Sequence, residues 1–383
     1  MALSKIDVAN MLTGLVPNDN TIRRPNSKPI IINGNMAVAQ RGASATGKTD
    51  GAYYTCDRMT SGIGNIGTYT ITQESLTSGN AFNNGFANAW RIDCTTADGS
   101  PAAGDFLWAE MNLEGQDLQL FKKGTSNAEK FTLAFWVKSN KTGTSQVNLR
   151  DRDNDRMCSG TYAISSANTW EHKVVNIAAD TTGAFDDNAQ KSLTIEWWLG
   201  AGSTYSGGAV PTAWEARADG DRGVSTLGIN DNTANDWAIT GIQLEVGEFS
   251  STTLPPFQHE CYDDNIARCY RYYYRLTPVT GFRYAALGQV DNDDNVVVGV
   301  TWFKTHMRDA PSALEQSGTA SHYKVREATT VTCDAVPTFT NADTWYAATS
   351  FKKSGITSSN GFAQGELLKV GIDGGYLAWS AEL

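Results

Sequence analysis

Gly42-Ala43-Ser44-Ala45-Thr46-Gly47-Lys48-Thr49 fits the full G-x-x-x-x-G-K-[ST] pattern of a phosphate-cradling loop. Such a loop works when a buried strand feeds it and a helix leaves it, so that helix N-terminal amides meet the phosphates. Here the exit reads Asp50-Gly51-Ala52-Tyr53-Tyr54-Thr55-Cys56, and its glycine and β-favouring residues oppose a helix. No alternating strands and helices follow to supply a magnesium-holding carboxylate. The match reads as chance in a Gly/Ser/Thr loop.

Asp151, Asp153 and Asp155 alternate as oxygen ligands of calcium do. An EF-hand loop would carry glycine at its sixth position and glutamate at its twelfth, where this chain has Arg156 and Tyr162. The run is therefore a candidate for structural calcium in another geometry, or a solvated turn between two strands. Asp291-Asn292-Asp293-Asp294-Asn295 is read the same way. His172, His259, His306 and His322 are far apart and lack metal-ligand spacing, and neither G-x-S-x-G nor H-E-x-x-H is present. A glycoside hydrolase would need two carboxylates facing across a cleft, which sequence cannot place. The expectation is a chain that is not an enzyme and carries no cofactor beyond that calcium.

Aromatic residues are the best evidence for a ligand. Sugar rings present apolar C–H faces to aromatic walls, while acids and amides hold their hydroxyls. Trp197 and Trp198 are neighbours, so on a strand one points to the core and the other to a groove or partner. Trp214 lies near Tyr205 and Gly207-Gly208 in a long loop, where a core role is harder to see. Trp90 and Trp136 sit in alternating strands and read as core, whereas Trp108, Trp214 and Trp237 divide among core, subunit contact and ligand. The candidate carbohydrate-binding set is Trp108, Trp198, Tyr205, Trp214 and Trp237.

The elements that must position these residues are strands. Segments such as Thr68 to Gln73, Asn88 to Cys94, Lys130 to Lys138, Leu193 to Leu199 and Trp237 to Val246 alternate, with turn formers between them. About eight short strands without βαβ alternation predict an all-β sandwich or barrel. Asp263 to Arg275 reads as a helix capped by Asp263 or Asp264, running into a Tyr-rich segment that could switch to strand. Further strands up to Leu383 predict a second, smaller β domain.

The chain has 383 residues, 40% hydrophobic and 19% charged, enough for two cores and a terminal arm. A net charge of −10 repels phosphate backbones and argues against nucleic-acid binding. Six cysteines without a C-x-x-C pair read as mostly reduced core residues. Met1 to Gly14 lacks the features of a signal peptide, and no stretch approaches a membrane span, so no membrane insertion is expected.

Two separated motifs complete the reading. Ile32-Asn33-Gly34-Asn35-Met36 followed by Gln40-Arg41-Gly42 opens the β-rich region. Gln243-Leu244-Glu245-Val246-Gly247, then Pro256-Phe257 with His259 and Tyr262, and Cys269-Tyr270-Arg271-Tyr272-Tyr273-Tyr274 close it. This bracket resembles the fibre and adhesin proteins of tailed bacteriophages, especially marine ones, over most of the chain. The resemblance implies a carbohydrate-binding jelly roll at 29–254, a connector helix and C-terminal β-sandwich at 255–383, and a virion-attachment arm at 1–28. It implies a virion-surface protein made in the host cytoplasm, partnered by other virion proteins and a host surface glycan. Ile6, Met11 and Leu12 lie on a short amphipathic helix in the arm, and Tyr270, Tyr272, Tyr273 and Tyr274 place rings on every side of one element. Both are expected at assembly contacts, the tyrosines in a homotrimer or between the chain's own two domains. A decoration or adaptor protein that touches only virion proteins, and a depolymerase, are the alternatives.

Overall fold

The computed structural model describes residues 28–291, 296–326, 329–356, 362–368 and 374–383. Ile6, Met11 and Leu12 of the expected arm, and Asn292 to Asn295 of the second acidic run, lie outside the described residues.

Eleven strands build the first sheet: β1 (Ser44–Asp50), β2 (Met59–Ser75), β3 (Asn88–Thr96), β4 (Phe106–Glu114), β5 (Phe131–Ser139), β6 (Gly143–Asp151), β7 (Arg156–Ile164), β8 (Glu171–Ile177), β9 (Lys191–Ala201), β10 (Glu215–Ala216) and β11 (Asp236–Val246). They pair in the order β10-β7-β6-β9-β4-β2-β3-β11-β5-β8, with β1 beside β2. Strand β2 serves both leaves of a sandwich. Its first half pairs with β4 and its second half with β3. Between the halves, Asn65 and Gly67 take φ of 51° and 113°, and a Cβ on Gly67 would stand 2.4 Å from the Thr96 carbonyl oxygen. That turn folds the sheet over itself into a jelly roll.

Alternation fills the space between the leaves. Leu107, Ala109 and Met111 of β4, and Leu193, Ile195 and Trp197 of β9, are buried with Ile92, Leu133, Phe135 and Ile239 of the other leaf. Trp197 meets Phe135 edge to face at 5.8 Å, and Phe135 meets Tyr162 of β7 at 5.1 Å. Each such large side chain contributes roughly 1.5–3 kcal/mol by leaving water.

The second unit is a smaller sandwich. One sheet holds β12 (Tyr273–Leu276), β21 (Leu377–Ser380) and β15 (Glu315–Gln316). The other runs β17 (Thr330–Thr332), β16 (Tyr323–Arg326), β20 (Phe362–Leu368), β13 (Phe282–Asp291), β14 (Val296–Trp302), β19 (Tyr346–Lys352) and β18 (Thr338–Ala342). Tyr274, Leu276 and Trp379 of the first face Val297, Phe351 and Leu367 of the second.

Several expectations need correcting. The helix runs from Tyr262 to Tyr270, with Cys261 rather than Asp263 or Asp264 at its N-cap. The chain turns extended at Tyr273 because β12 must pair with β21, Tyr273 against Ser380 and Tyr274 against Trp379. Most of the Gly42–Thr49 segment lies in an edge strand, β1, with extended chain after it and no helix; Lys48 is half-buried and lies over the Tyr54 ring. Trp136 is not core. It sits half-buried on the outer face of β5, beside His172 at 5.0 Å. The cysteines match their expectation as mostly reduced core residues: all six are free thiols, five of them buried and Cys261 exposed.

The bracketing motifs meet in space. Asn33 donates to the carbonyls of Val38 and Asp57, and Asn265 of the helix donates to Asn33 and Asn35. Ile32, Val38, Cys269 and Tyr272 form a small core of their own. Arg58 pairs with Glu382 in a buried contact, lies 3.5 Å from the Tyr272 ring centroid, and donates to the Asn112 carbonyl. Arg41 covers the Tyr273 ring at 3.5 Å, and Arg271 grips Glu114 with bonds of 2.8 and 2.7 Å. Tyr272, Tyr273 and Tyr274 are buried and Tyr270 half-buried, so the rings that seemed to need a second chain are shared between this chain's two cores.

Replacing Glu382 by Gln leaves Arg58 buried without a counter-charge. We expect the unfolding free energy in urea to fall by about 3–5 kcal/mol. A loss below about 1 kcal/mol would show that this contact does not hold the two units together.

Candidate functional site

The outward face of β4 reads Phe106, Trp108, Glu110, Asn112, the residues that alternate with the buried set. On β9 the same face carries Trp198, Glu196 and Thr194. The antiparallel register sets Trp108 against Trp198, Glu110 against Glu196 and Asn112 against Thr194. Strand β2 supplies Gly62 and Gly64 opposite Trp108 and Phe106. A Cβ at Gly62 would fall 2.1 Å from the Trp108 ring, so only glycine lets the indole lie flat on the backbone.

The result is a ladder of rings. Phe106 stacks on Trp108 at 4.4 Å, Trp108 meets Trp198 at 4.8 Å, and Trp198 meets Tyr205 at 5.3 Å. The loop between β9 and β11 brings Tyr205 and Arg222 onto this face. Arg222 lies 4.9 Å from both indole centroids, in cation–π range. Its close approach at Gly223, where a Cβ would stand 2.5 Å from Trp198, roofs that indole completely. Trp108, Phe106, Tyr205 and Glu110 remain half-open.

Anchoring by a carboxylate separates these indoles from the core ones. Trp108 donates its indole N–H to Glu110 at 2.9 Å, and Trp198 donates to Glu196 at 3.0 Å. The indole N–H groups of Trp90, Trp197 and Trp379 have no protein acceptor among the described residues. Glu196 also accepts from Arg222 at 3.0 Å. Burial pushes the Glu196 carboxyl up, but the Arg222 charge and the Trp198 bond more than offset this and hold it below the ordinary range. It stays ionised. Glu110 accepts from Asn112 at 2.8 Å and stands 3.6 Å from Lys191.

Of the five sequence candidates, the structure brings together Trp108, Trp198 and Tyr205. Trp237 is wholly buried between the leaves, edge to face with Trp90 at 6.3 Å. Trp214 is also buried, against Phe131, with its N–H on the Ala178 carbonyl. Neither reaches a ligand surface. The sequence reading missed Phe106, Glu110, Glu196 and Arg222. The signal was present in the alternation of Phe106, Trp108 and Glu110, and in Glu196-x-Trp198, each an i, i+2 pair on one face.

The acidic triplet does not converge. Asp151 is buried against the Lys123 ammonium, which Asp180 shares at 3.0 Å and the Gly183 carbonyl at 2.6 Å. Asp153 accepts from the Asp186 amide and Asp155 pairs with Arg217 at 2.8 Å. The cation among these oxygens is a lysine. Among the described residues, no three His, Cys, Asp or Glu side chains gather to hold a metal. The four histidines lie in four places; His259 packs on Phe86 and Phe257 near the junction helix.

A second set of aromatics went unnoticed in the sequence. On the outer face of the second sandwich, Trp302 is 68% exposed and Leu287 60%, with Phe282 and Tyr284 also exposed. Tyr284 and Trp302 line a cleft of about 350 Å³ together with Arg283 and Gln364. Phe282 and Tyr284 are again an i, i+2 pair on one strand.

No protein-family description and no curated protein matches this chain. Among solved structures it is similar to the enzymatically active domain of a bacteriophage CBA120 tailspike protein, at 12% identity and a TM-score of 0.28, over 57% of this chain and 21% of that one. The chain thus spans about a fifth of that tailspike domain. A putative sugar binding protein from Bacteroides thetaiotaomicron gives 13% identity and 0.30 over 57% of this chain and all of that one. A family 11 carbohydrate-binding module of a Clostridium thermocellum cellulase gives 9% and 0.28 over 54% and 99%. At these scores the likenesses carry no argument about a ligand.

Glu196 and Asp180 are both held below the ordinary carboxylate range. Burial opposes the Asp180 shift, and bonds from Arg156, Thr182 and Lys123 outweigh it. A depressed carboxyl stabilises the fold above its unfolded pKa and loses that contribution as pH falls through the folded one. We expect the contribution of these two carboxyls to be full above about pH 4.5 and to decline below it. Arg222→Met should lower stability and weaken this acid dependence, as followed by urea unfolding at stepped pH; an unchanged profile would show that the Glu196 pair contributes nothing.

Proposed function

We propose that this chain is a non-catalytic adhesin of a tailed-phage virion that holds a host-surface glycan on the Trp108 face of its jelly roll. The observation that carries the reading is the half-open Trp108 indole, fixed by Glu110 at one edge and stacked on Phe106 and Trp198. A sugar ring needs an apolar wall with hydrogen-bonding groups around it, held rigid before the ligand arrives. Glu110 and the rim of Tyr205 supply the polar groups; Gly62 and the Arg222 contact supply the rigidity. The virion setting rests on the resemblance of the two bracketing motifs.

The carboxylates argue for binding rather than hydrolysis. Glu110 and Glu196 are cross-strand neighbours, and a retaining hydrolase would need one of them as a protonated acid near neutral pH and the other as a free nucleophile. Glu196 is driven the other way by Arg222, and its oxygens are committed to Arg222 and Trp198.

We expect Trp108→Ala to weaken glycan binding by about tenfold or more with little change in the melting temperature. A glycan array with the whole chain, followed by calorimetry on the hits, measures this. Wild-type binding that survives the substitution would move the site elsewhere, and release of reducing ends from a bound polysaccharide would make the protein an enzyme.

A second reading has its own support. The exposed face around Leu287, Tyr284 and Trp302 has the composition of an interface core, rich in Trp, Tyr, Phe and Arg. This supports packing against another virion protein or further copies of the chain, a homotrimer in the expectation above. Leu287→Lys with Trp302→Ala should then lower the sedimentation coefficient of the wild-type assembly. A wild-type chain that sediments as a monomer at micromolar concentration ends the trimer proposal.

A further inference from the structure

Past Glu110 and Glu196, the Trp108 face runs into three cations. Arg150 of β6 sits opposite Thr194 of β9. The amide of Arg152 donates to the Ser192 carbonyl, and Lys191 opens β9. Their pairing is loose where the rest of the face is tight. Arg222 meets Glu196 at 3.0 Å and Arg217 meets Asp155 at 2.8 Å. Arg150 approaches the same two carboxylates only at 3.8 and 3.5 Å, each already engaged by its closer partner.

Lys191 is 3.6 Å from Glu110, whose oxygens accept closer bonds from Trp108 and Asn112. Arg152 is exposed and has no carboxylate within 4 Å among the described residues. The Arg150 Nε–H is buried without an acceptor among the described residues. Burial pushes the proton affinity of both Arg150 and Lys191 down; Glu196 and Glu110 oppose this without offsetting it, and Arg152 adds repulsion to each. On a chain of net charge −10, this is a local surplus of positive charge beside an aromatic wall. A bound anion would relieve it.

We infer that this face selects an anionic oligosaccharide, whose carboxylate or sulfate group is held by Arg150, Arg152 and Lys191 while a different sugar of the same chain lies on Trp108. The inference rests on the glycan reading above and adds the ligand's charge and length. Thr194, opposite Arg150, is four residues along β9 from Trp198, opposite Trp108, which is about 13 Å of strand. One sugar unit cannot touch both ends, so the charge belongs to a neighbouring unit. A guanidinium fork matches the planar carboxylate and two oxygens of a sulfate, and Glu196 between them is already neutralised by Arg222.

The probes are an oligogalacturonate and a heparin-derived oligosaccharide, each beside its neutral counterpart (carboxyl-reduced for the first; desulfated, N-acetylated and carboxyl-reduced for the second), titrated calorimetrically into the full chain. We expect at least one charged probe to bind about tenfold tighter than its neutral counterpart, with the difference shrinking at high salt. Arg152→Gln, at an exposed position that should not disturb folding, should weaken the charged probe and leave the neutral one unchanged. Arg150→Lys should be intermediate, since it keeps the charge and loses the fork. Neutral counterparts that bind as tightly as the charged probes, or an Arg152→Gln chain with unaltered preference, would overturn the inference and leave the glycan reading standing. A chain that binds none of the four, with a blank glycan array, would remove both.

Discussion

The buried pairing of Arg58 with Glu382 is the contact on which the rest of the structure depends. Two charges leave water there, and the cost is recovered only where geometry supplies every partner. Arg58 has a left-handed backbone, φ of 71°, which aims its guanidinium between the Tyr272 ring and the Asn112 carbonyl. Burial opposes its charge and Glu382 restores it. Glu382 follows β21, so the last strand is tied back to the start of β2. Asp57 beside it is bound by Gln40, which also reaches the Tyr273 carbonyl, and burial pushes the Asp57 carboxyl up to about 6. These polar contacts can be met in one arrangement of the two sandwiches.

That constraint reaches the candidate site through one residue. Asn112 gives its carbonyl to Arg58, its amide to Glu110 and Tyr53, and its side-chain oxygen to Thr194. Glu110 in turn fixes Trp108. The open wall of the site is therefore held by a hydrogen-bonded line that begins at the domain junction. Across the same leaf, at the end of β6, Lys123 satisfies Asp151 and Asp180 from within the chain. Buried charge pairs thus lock one end of these strands, and the face toward Trp108 stays partly open.

Much of the architecture was legible in the sequence. Strands β3, β5, β9 and β11 follow from alternation alone, because a half-buried strand must repeat every two residues. The Trp197-Trp198 pair gave one core and one outward ring for the same reason. Strand β4 was overlooked, and with it Phe106 and Glu110, because its outward positions are aromatic and the polar half of the pattern is blurred. Trp214 and Trp136 were misplaced in opposite senses. Trp214 lies in a loop that folds back under Phe131, and Trp136 alternates correctly but falls on the outward phase of its strand.

The sequence by itself determined the β periodicity, the turns, the failure of Gly42–Thr49 as a phosphate loop, and the two motifs that bracket the first domain. These are local properties, set by side-chain shape and backbone preference within a few residues. Only the tertiary structure decided that the two motifs touch, that Tyr272 and Tyr273 are covered by Arg58 and Arg41, that a lysine takes Asp151 out of the acidic triplet, and that Arg222 crosses Trp108. Those contacts join residues far apart in the chain. Their partners are chosen by strand register and by the need to pair each buried charge, and neither is written in the spacing of any one segment.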